Sequence, residues 1–191
     1  IDDLSPLDGM PLKRLNVSGT KVSDLSPLHG MKLVELDLGR TRVQDLSPLA
    51  EMPLQILVLF ETRVDDLTPI RGLPLESIDL RRSQVSDVEP LAGMPLVQLR
   101  GSTRIADIRP LVGCPLRDLS LTGSLVEDLS AVTHMQLRAL AISFTPISDL
   151  SPLRGQPIEI LRIEKTAIRD LTPLAGMPLK RLTFWPEDIT R

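Results

Sequence analysis

The chain has 191 residues, of which 42% are hydrophobic, yet only 2% are aromatic and none is Tyr. That composition excludes disorder and requires an aliphatic core built in thin, similar layers. A formal net charge of −3 excludes a global basic field for nucleic acid, no apolar run approaches the roughly 18 residues that span a bilayer, and the lone Cys114 excludes an intrachain disulfide.

Residues 1–10 (IDDLSPLDGM) are the back half of a unit that then recurs in full. Residues 11–31 read PLKRLNVSGTKVSDLSPLHGM, and residues 32–52 read KLVELDLGRTRVQDLSPLAEM. The shared pattern is P-L-x-x-L-x-L-x-x-T-x-V-x-D-L-S-P-L-x-G-M. Its first leucine falls at Leu12, Leu33, Leu54, Leu75, Leu96, Leu116, Leu137 and Leu179, with Ile158 standing in once. Every step is 21 residues except Leu96 to Leu116, which is 20. A fixed period of this size marks a stacked repeat array. Eight repeats fill residues 11–177, and residues 178–191 hold a last strand and the start of a C-terminal cap, so that 1–191 reads as one domain. No cap covers the first layer, so the parent protein is expected to extend N-terminally or to have been trimmed there.

Within each unit the segment around Leu15 and Val17 alternates apolar and polar, the period-2 pattern of a short strand. Successive strands should stack into one parallel sheet at about 4.8 Å spacing. The column Thr20, Thr41, Thr62, Ser83, Thr103, Ser124, Thr145 and Thr166 should bond backbone groups in the turn after the strand. The second half, D-L-S-P-L-x-G, returns the chain. Asp24 should accept the Ser26 N–H in an Asx-turn. Ser26 should cap a short 3-10 or α turn with Pro27 at its first position, and Gly30 should end it in the left-handed region. Leu25 and Leu28 then point inward. Of the 17 prolines, all but Pro146 and Pro186 fall in two periodic columns, which marks turns and not low complexity.

Two places depart from the pattern. In the fifth repeat only Arg100, Gly101 and Ser102 separate Leu99 from Thr103, so the second strand leucine is missing. Either a local deletion is tolerated there or the sheet bends or bulges. At the end Phe184 falls in a core column, Trp185 and Pro186 break the pattern, and residues 187–191 suit the first turn of a capping helix.

The L-x-x-L-x-L core resembles the leucine-rich repeat family over the whole chain. The 21-residue period, the -DLSPL- return and Thr in place of the usual Asn look most like bacterial repeats of the internalin-like kind. These DLSPL-type runs also resemble repeats of large bacterial signalling proteins, some of which carry a Ser/Thr protein-kinase domain. The resemblance implies an α/β repeat fold: a right-handed solenoid with a parallel β-sheet on its concave face and short turns on its convex face. It also implies a non-enzymatic protein–protein interaction module that binds its partner on the concave face. Two alternatives stand beside this reading. One is a recruiting or regulatory segment of a larger signalling enzyme whose catalytic domain lies outside this chain. The other is a structural spacer.

Residues that could carry chemistry do not converge. The uniform Asp column (Asp3, Asp24, Asp45, Asp66, Asp87, Asp107, Asp128, Asp149, Asp170) brings one carboxylate per layer, whereas Ca²⁺ needs six to eight oxygens at one point. His29 and His134 lie five repeats apart. All six Met share one column with Cys114, which reads as a core seam. No cofactor or metal site is expected, and function is left to the surface where one repeat differs from the next. Outward strand positions carry Arg14, Arg81, Arg100, Arg162 and Arg181 against Glu35, Asp37, Asp79, Asp118 and Glu164, which is no phosphate-tracking stripe. The expected partner site is apolar and clustered: Ile56, Val58 and Phe60 together, with Arg81 and Arg100 on the following strands and Phe144 and Trp185 further along. A column three residues before each Asp is largely basic early (Lys21, Arg42, Arg63, Gln84, Arg104), reinforced by Arg40 and Arg82, and apolar late (Leu125, Pro146, Ala167); a solvated face explains the charges as well as an acidic or phosphorylated partner does. The expected partner is a protein, neither nucleic acid nor membrane, met by a monomer or by part of a longer chain.

Overall fold

Each unit supplies only three residues of regular strand, because one inward leucine flanked by two outward residues is all that the L-x-L core offers. The computed structural model describes residues 1–185. Its strands are β1 (Arg14–Asn16), β2 (Glu35–Asp37), β3 (Ile56–Val58), β4 (Ser77–Asp79), β5 (Gln98–Arg100), β6 (Asp118–Ser120), β7 (Ala139–Ala141), β8 (Ile160–Arg162) and β9 (Arg181–Thr183). They form one parallel sheet in strict chain order. Middle residues pair along it without a slip, from Leu15 with Leu36 to Leu161 with Leu182.

Between strands the chain returns through 3-10 turns, such as Ser26–Leu28 and Ser47–Leu49. The Asp column starts them. In every unit the Asp Oδ1 accepts the N–H two residues on, at 2.7–2.9 Å. This places Ser26 inside the turn and not at its cap: Leu25 is the capping residue, and the Ser26 hydroxyl donates back to Asp24 at 2.6 Å. The Asp side chain therefore does the work assigned to Ser26. Gly30 ends the turn with φ of 76°, as its position requires.

A single coil lines the core with seven apolar side chains. In the second these are Leu33, Leu36, Leu38, Val43, Leu46, Leu49 and Met52, none more than 2% exposed. The Met seam is buried in the interior of the array (Met31, Met52, Met94, Met135) but not at its start, where Met10 is 43% exposed. Gln156 takes one place in it, and its amide donates to the Val132 and Thr133 carbonyls of the preceding coil at 3.3 and 3.2 Å. Phe184 falls in the column of buried Ile163 but is not itself buried. It is 38% exposed, because no further coil among the described residues lies over it. The proposed capping turn at 187–191, with Pro186, lies outside the described residues.

The fifth coil shows how the missing residue is absorbed. β5 pairs in register with both neighbours, so the sheet does not bulge. Gly101 occupies the backbone place of the absent leucine, donating its N–H to the Ser120 carbonyl at 2.7 Å. A Cβ there would meet Ile105 Cδ1 at 3.1 Å and the Ser120 carbonyl at 3.3 Å, so the space has closed. The deletion falls in the turn after the strand, and it shifts the hydroxyl column by one. Thr41, Thr62 and Thr145 donate to the carbonyl three residues back, as expected. In the short coil the buried hydroxyl is Ser102, and Thr103 is exposed.

Ser102 repairs two backbone groups at once. In neighbouring coils the carbonyls of Val22, Val64 and Ile105 each accept an N–H from the next coil. At the short coil the equivalent Val85 carbonyl accepts the Ser102 hydroxyl instead, and the Arg104 N–H that would have served it donates to the Ser102 oxygen at 3.1 Å. Ser102→Ala should therefore destabilise the chain by about 1–3 kcal/mol, the cost of stranding a buried backbone group. Urea unfolding measures this against Ser18→Ala, an exposed serine that should change nothing; equal stability of the two variants would show that the turn re-forms without the hydroxyl.

Candidate functional site on the sheet face

The residues flanking each inward leucine point out of the sheet. On β3 these are Ile56 and Val58. Ile56 is 39% exposed and Val58 is half-buried. Their neighbours across the sheet are Glu35 and Asp37 on one side and Ser77 and Asp79 on the other, so the apolar pair has a polar border. Beyond it a hydrogen-bonded row crosses three strands: the Ser77 hydroxyl donates to Gln98 Oε1, and Gln98 Nε2 donates to Asp118, each at 3.1 Å.

Two residues past Val58, Phe60 is half-buried, with three arginines around its ring. The guanidinium carbons of Arg40 and Arg81 lie 5.2 Å from its ring centroid, and that of Arg82 lies 5.8 Å away. These are cation–π distances. The arginines are set by two carboxylates. Arg40 Nε and Arg82 Nη1 donate to opposite oxygens of Glu61 at 2.8 and 2.9 Å. Arg81 grips Asp79 in a fork, with Nε at 2.9 Å from Oδ1 and Nη2 at 2.6 Å from Oδ2. Arg100 Nη1 stands 3.7 Å from the same Oδ2. The hydrogen bond from Arg40, then that from Arg82, holds the Glu61 carboxyl below its usual range, and Asp79 raises the Arg81 guanidinium above its own. Four guanidinium groups thus share two carboxylates.

Arg40, Glu61 and Arg82 occupy one column, two residues past the last inward side chain of the strand. All three are left-handed, with φ of 57°, 59° and 57°. Gly19 and Gly123 hold the same place in other coils. Further on, Phe144 (φ 61°) and Lys165 (φ 55°) hold it. Phe144 is 57% exposed and Trp185 is 45% exposed, with the Lys165 ammonium 4.3 Å from the Trp185 ring.

The expected partner residues therefore fall into two groups. Ile56, Val58, Phe60, Arg81 and Arg100 come together on β3 to β5 and the turns after β3 and β4. Phe144 and Trp185 stand apart, beginning four strands away, or roughly 19 Å at the strand spacing. Sequence reasoning placed Arg40 and Arg82 on a basic edge but missed their link through Glu61. The signal was present: opposite charges at 21-residue spacing in neighbouring coils meet as cross-strand pairs do.

The Asp column is occupied by its turn role. Asp107, the most shifted, is held at about 2 by the side-chain hydrogen bond from Arg109, followed by the Arg109 backbone N–H. Among the described residues no group of three or more His, Cys, Asp or Glu side chains forms that could hold a metal ion, and no helix is long and apolar enough to cross a membrane. The Cys114 thiol is buried, donates to the Leu91 carbonyl at 3.6 Å, and is pushed up by burial.

No protein-family model matches the sequence, nor does any curated protein. Solved structures do. Internalin C2 from Listeria monocytogenes superimposes with a TM-score of 0.86 at 28% identity, over 91% of this chain and 80% of that one. Internalin F from the same organism gives 0.63 at 25% identity, over 97% and 71%. The leucine-rich-repeat ectodomain of an Arabidopsis thaliana membrane receptor kinase, solved in complex with a Casparian strip integrity factor, gives 0.68 at 18% identity, over 87% of this chain and 24% of that one, and so shares the fold alone. The fold, the repeat pattern and these likenesses agree: the chain is a leucine-rich-repeat solenoid similar to the internalins.

Proposed function

We propose that residues 1–191 act as one non-enzymatic binding domain that holds a protein partner against the outer, concave face of the sheet, centred on β3 to β5. The observation that carries this is the Ile56–Val58 pair, left partly exposed on the sheet face inside a border of charged and hydrogen-bonded side chains. An apolar centre within a polar rim is the usual anatomy of a binding hot spot. Leucine-rich repeats of this kind are interaction modules in general, and one of the similar structures was solved with its partner bound. Repeats supply a scaffold, while the residues that vary on its face supply the site.

The left-handed column supports the reading from a second side. A side chain there costs roughly 1–2 kcal/mol, and Gly19 and Gly123 show that glycine satisfies the turn. Five coils nonetheless carry Arg40, Glu61, Arg82, Phe144 or Lys165 in that place. Strained residues of this sort gather where function requires them.

Two outcomes follow. Ile56→Glu should weaken capture of the partner by about tenfold and leave the melting temperature unchanged, since the side chain is already exposed. Affinity measured by calorimetry on the partner recovered from the source lysate decides it; unchanged affinity in both Ile56→Glu and Val58→Glu would move the site off this face. Phe144→Gly should stabilise the free protein by roughly 0.5–1 kcal/mol, the relieved left-handed strain less the extra chain entropy of glycine. A loss of stability on urea unfolding would show instead that Phe144 packs as core.

A further inference from the structure

Resting on the binding role above, we infer that the occupant of this face is an acidic peptide segment, its carboxylates taken by the arginines around Phe60 and a nearby apolar side chain seated on Ile56 and Val58. Charge is the first argument. Four guanidinium groups (Arg40, Arg81, Arg82, Arg100) share only Glu61 and Asp79, so the cluster carries an excess of two positive charges in a chain whose net charge is −3. Donor capacity is the second. A guanidinium has five N–H donors in a fixed fork. Arg40 spends its Nε on Glu61, and Arg100 stands beyond hydrogen-bond range of Asp79. The side chains of Arg40 and Arg82 are 63% and 66% exposed even while paired. Their remaining N–H groups face solvent in a position to fork onto a carboxylate.

Pre-organisation is the third argument. The Phe60 ring and the two carboxylates hold the guanidinium groups in place before any ligand arrives, which lowers the ordering cost of binding. Arg40 and Arg82 are also kept at left-handed positions where glycine suffices elsewhere. The spacing then fixes the pattern of the ligand. Phe60 lies two residues from Val58, about 7 Å along an extended chain. A peptide lying along the strand meets the apolar pair and the arginines with side chains two positions apart. A nucleic acid fits less well, because a continuous phosphate backbone has no use for the apolar pair and would run its charges past Glu35, Asp37 and Asp118, whereas a peptide places its few carboxylates at the arginines alone.

The test is selection of a random peptide library on the intact chain, followed by binding of the selected peptides to the double variant Arg40→Gly, Arg82→Gly. Glycine is native at this place in two other coils, and the left-handed strain relieved offsets the two exposed ion pairs lost with Glu61, so the variant stays folded, with its circular dichroism retained and a melting temperature no lower than the parent's. Selected peptides should be enriched in Asp and Glu two positions from an apolar residue, weaken with added salt, and lose about tenfold or more in affinity for the double variant. An empty selection, peptides without acidic enrichment, equal binding to the variant, or a dT oligonucleotide bound as tightly as the peptides would each overturn the inference. A lysate partner lost on Ile56→Glu but retained by the double glycine variant would overturn it too, and would leave the binding role standing.

Discussion

No coil of this chain can bury its own leucines; each layer is closed only by the layers on either side. The consequence is visible along the array. Leucines of the inner coils, such as Leu57, Leu75 and Leu119, are fully buried, whereas Leu12 and Leu15 at one end and Leu179 and Leu182 at the other are only partly covered. Backbone bonds follow the same rule, with each three-residue strand completed by its neighbours and the flanking turns bonded from coil to coil. Stability then resides in contacts between adjacent units, as one-dimensional arrays require.

That division of labour frees the outward residues. A coil keeps its place through the inward leucines, the Asp that starts its return turn and the hydroxyl that closes the turn after its strand. None of these constrains what sits at 56, 58 or 60. The fifth coil marks how far the frame bends. Losing one residue there moved a hydroxyl from the column position to Ser102 and left β5 in register. The same freedom lets a left-handed column hold glycine in some coils and Arg, Glu, Phe or Lys in others. The interaction surface is thus a set of substitutions on a frame that does not depend on them.

Much of the frame was legible in the sequence because it is periodic. The strand centres, the nine Asx-turns at Asp3 to Asp170 and the left-handed glycine after most return turns followed from residue type at fixed spacing. What was not legible is where periodicity fails. The turn begins with Leu25 and not Ser26, because a carboxylate two residues upstream already satisfies the orphan N–H. Ser102 replaces Thr103 because the deletion decides which backbone groups lack partners, and no column records that. Phe60 read as an exposed anchor, since alternation gives the direction of a side chain and not its cover. Its cover comes from arginines on coils either side of it, oriented by Glu61 and Asp79. Phe184 sits in a core column by register, yet at this last layer nothing among the described residues lies over it.

The dependence of each layer on its neighbours is most directly tested by native-state hydrogen exchange on the whole chain. If stability lies between adjacent coils, amide protection should peak in the central strands, β4 to β6, and fall step by step toward β1 and β9, with the end coils opening while the centre stays closed. A single protection level shared by all nine strands and lost together would contradict that account and show one indivisible folding unit.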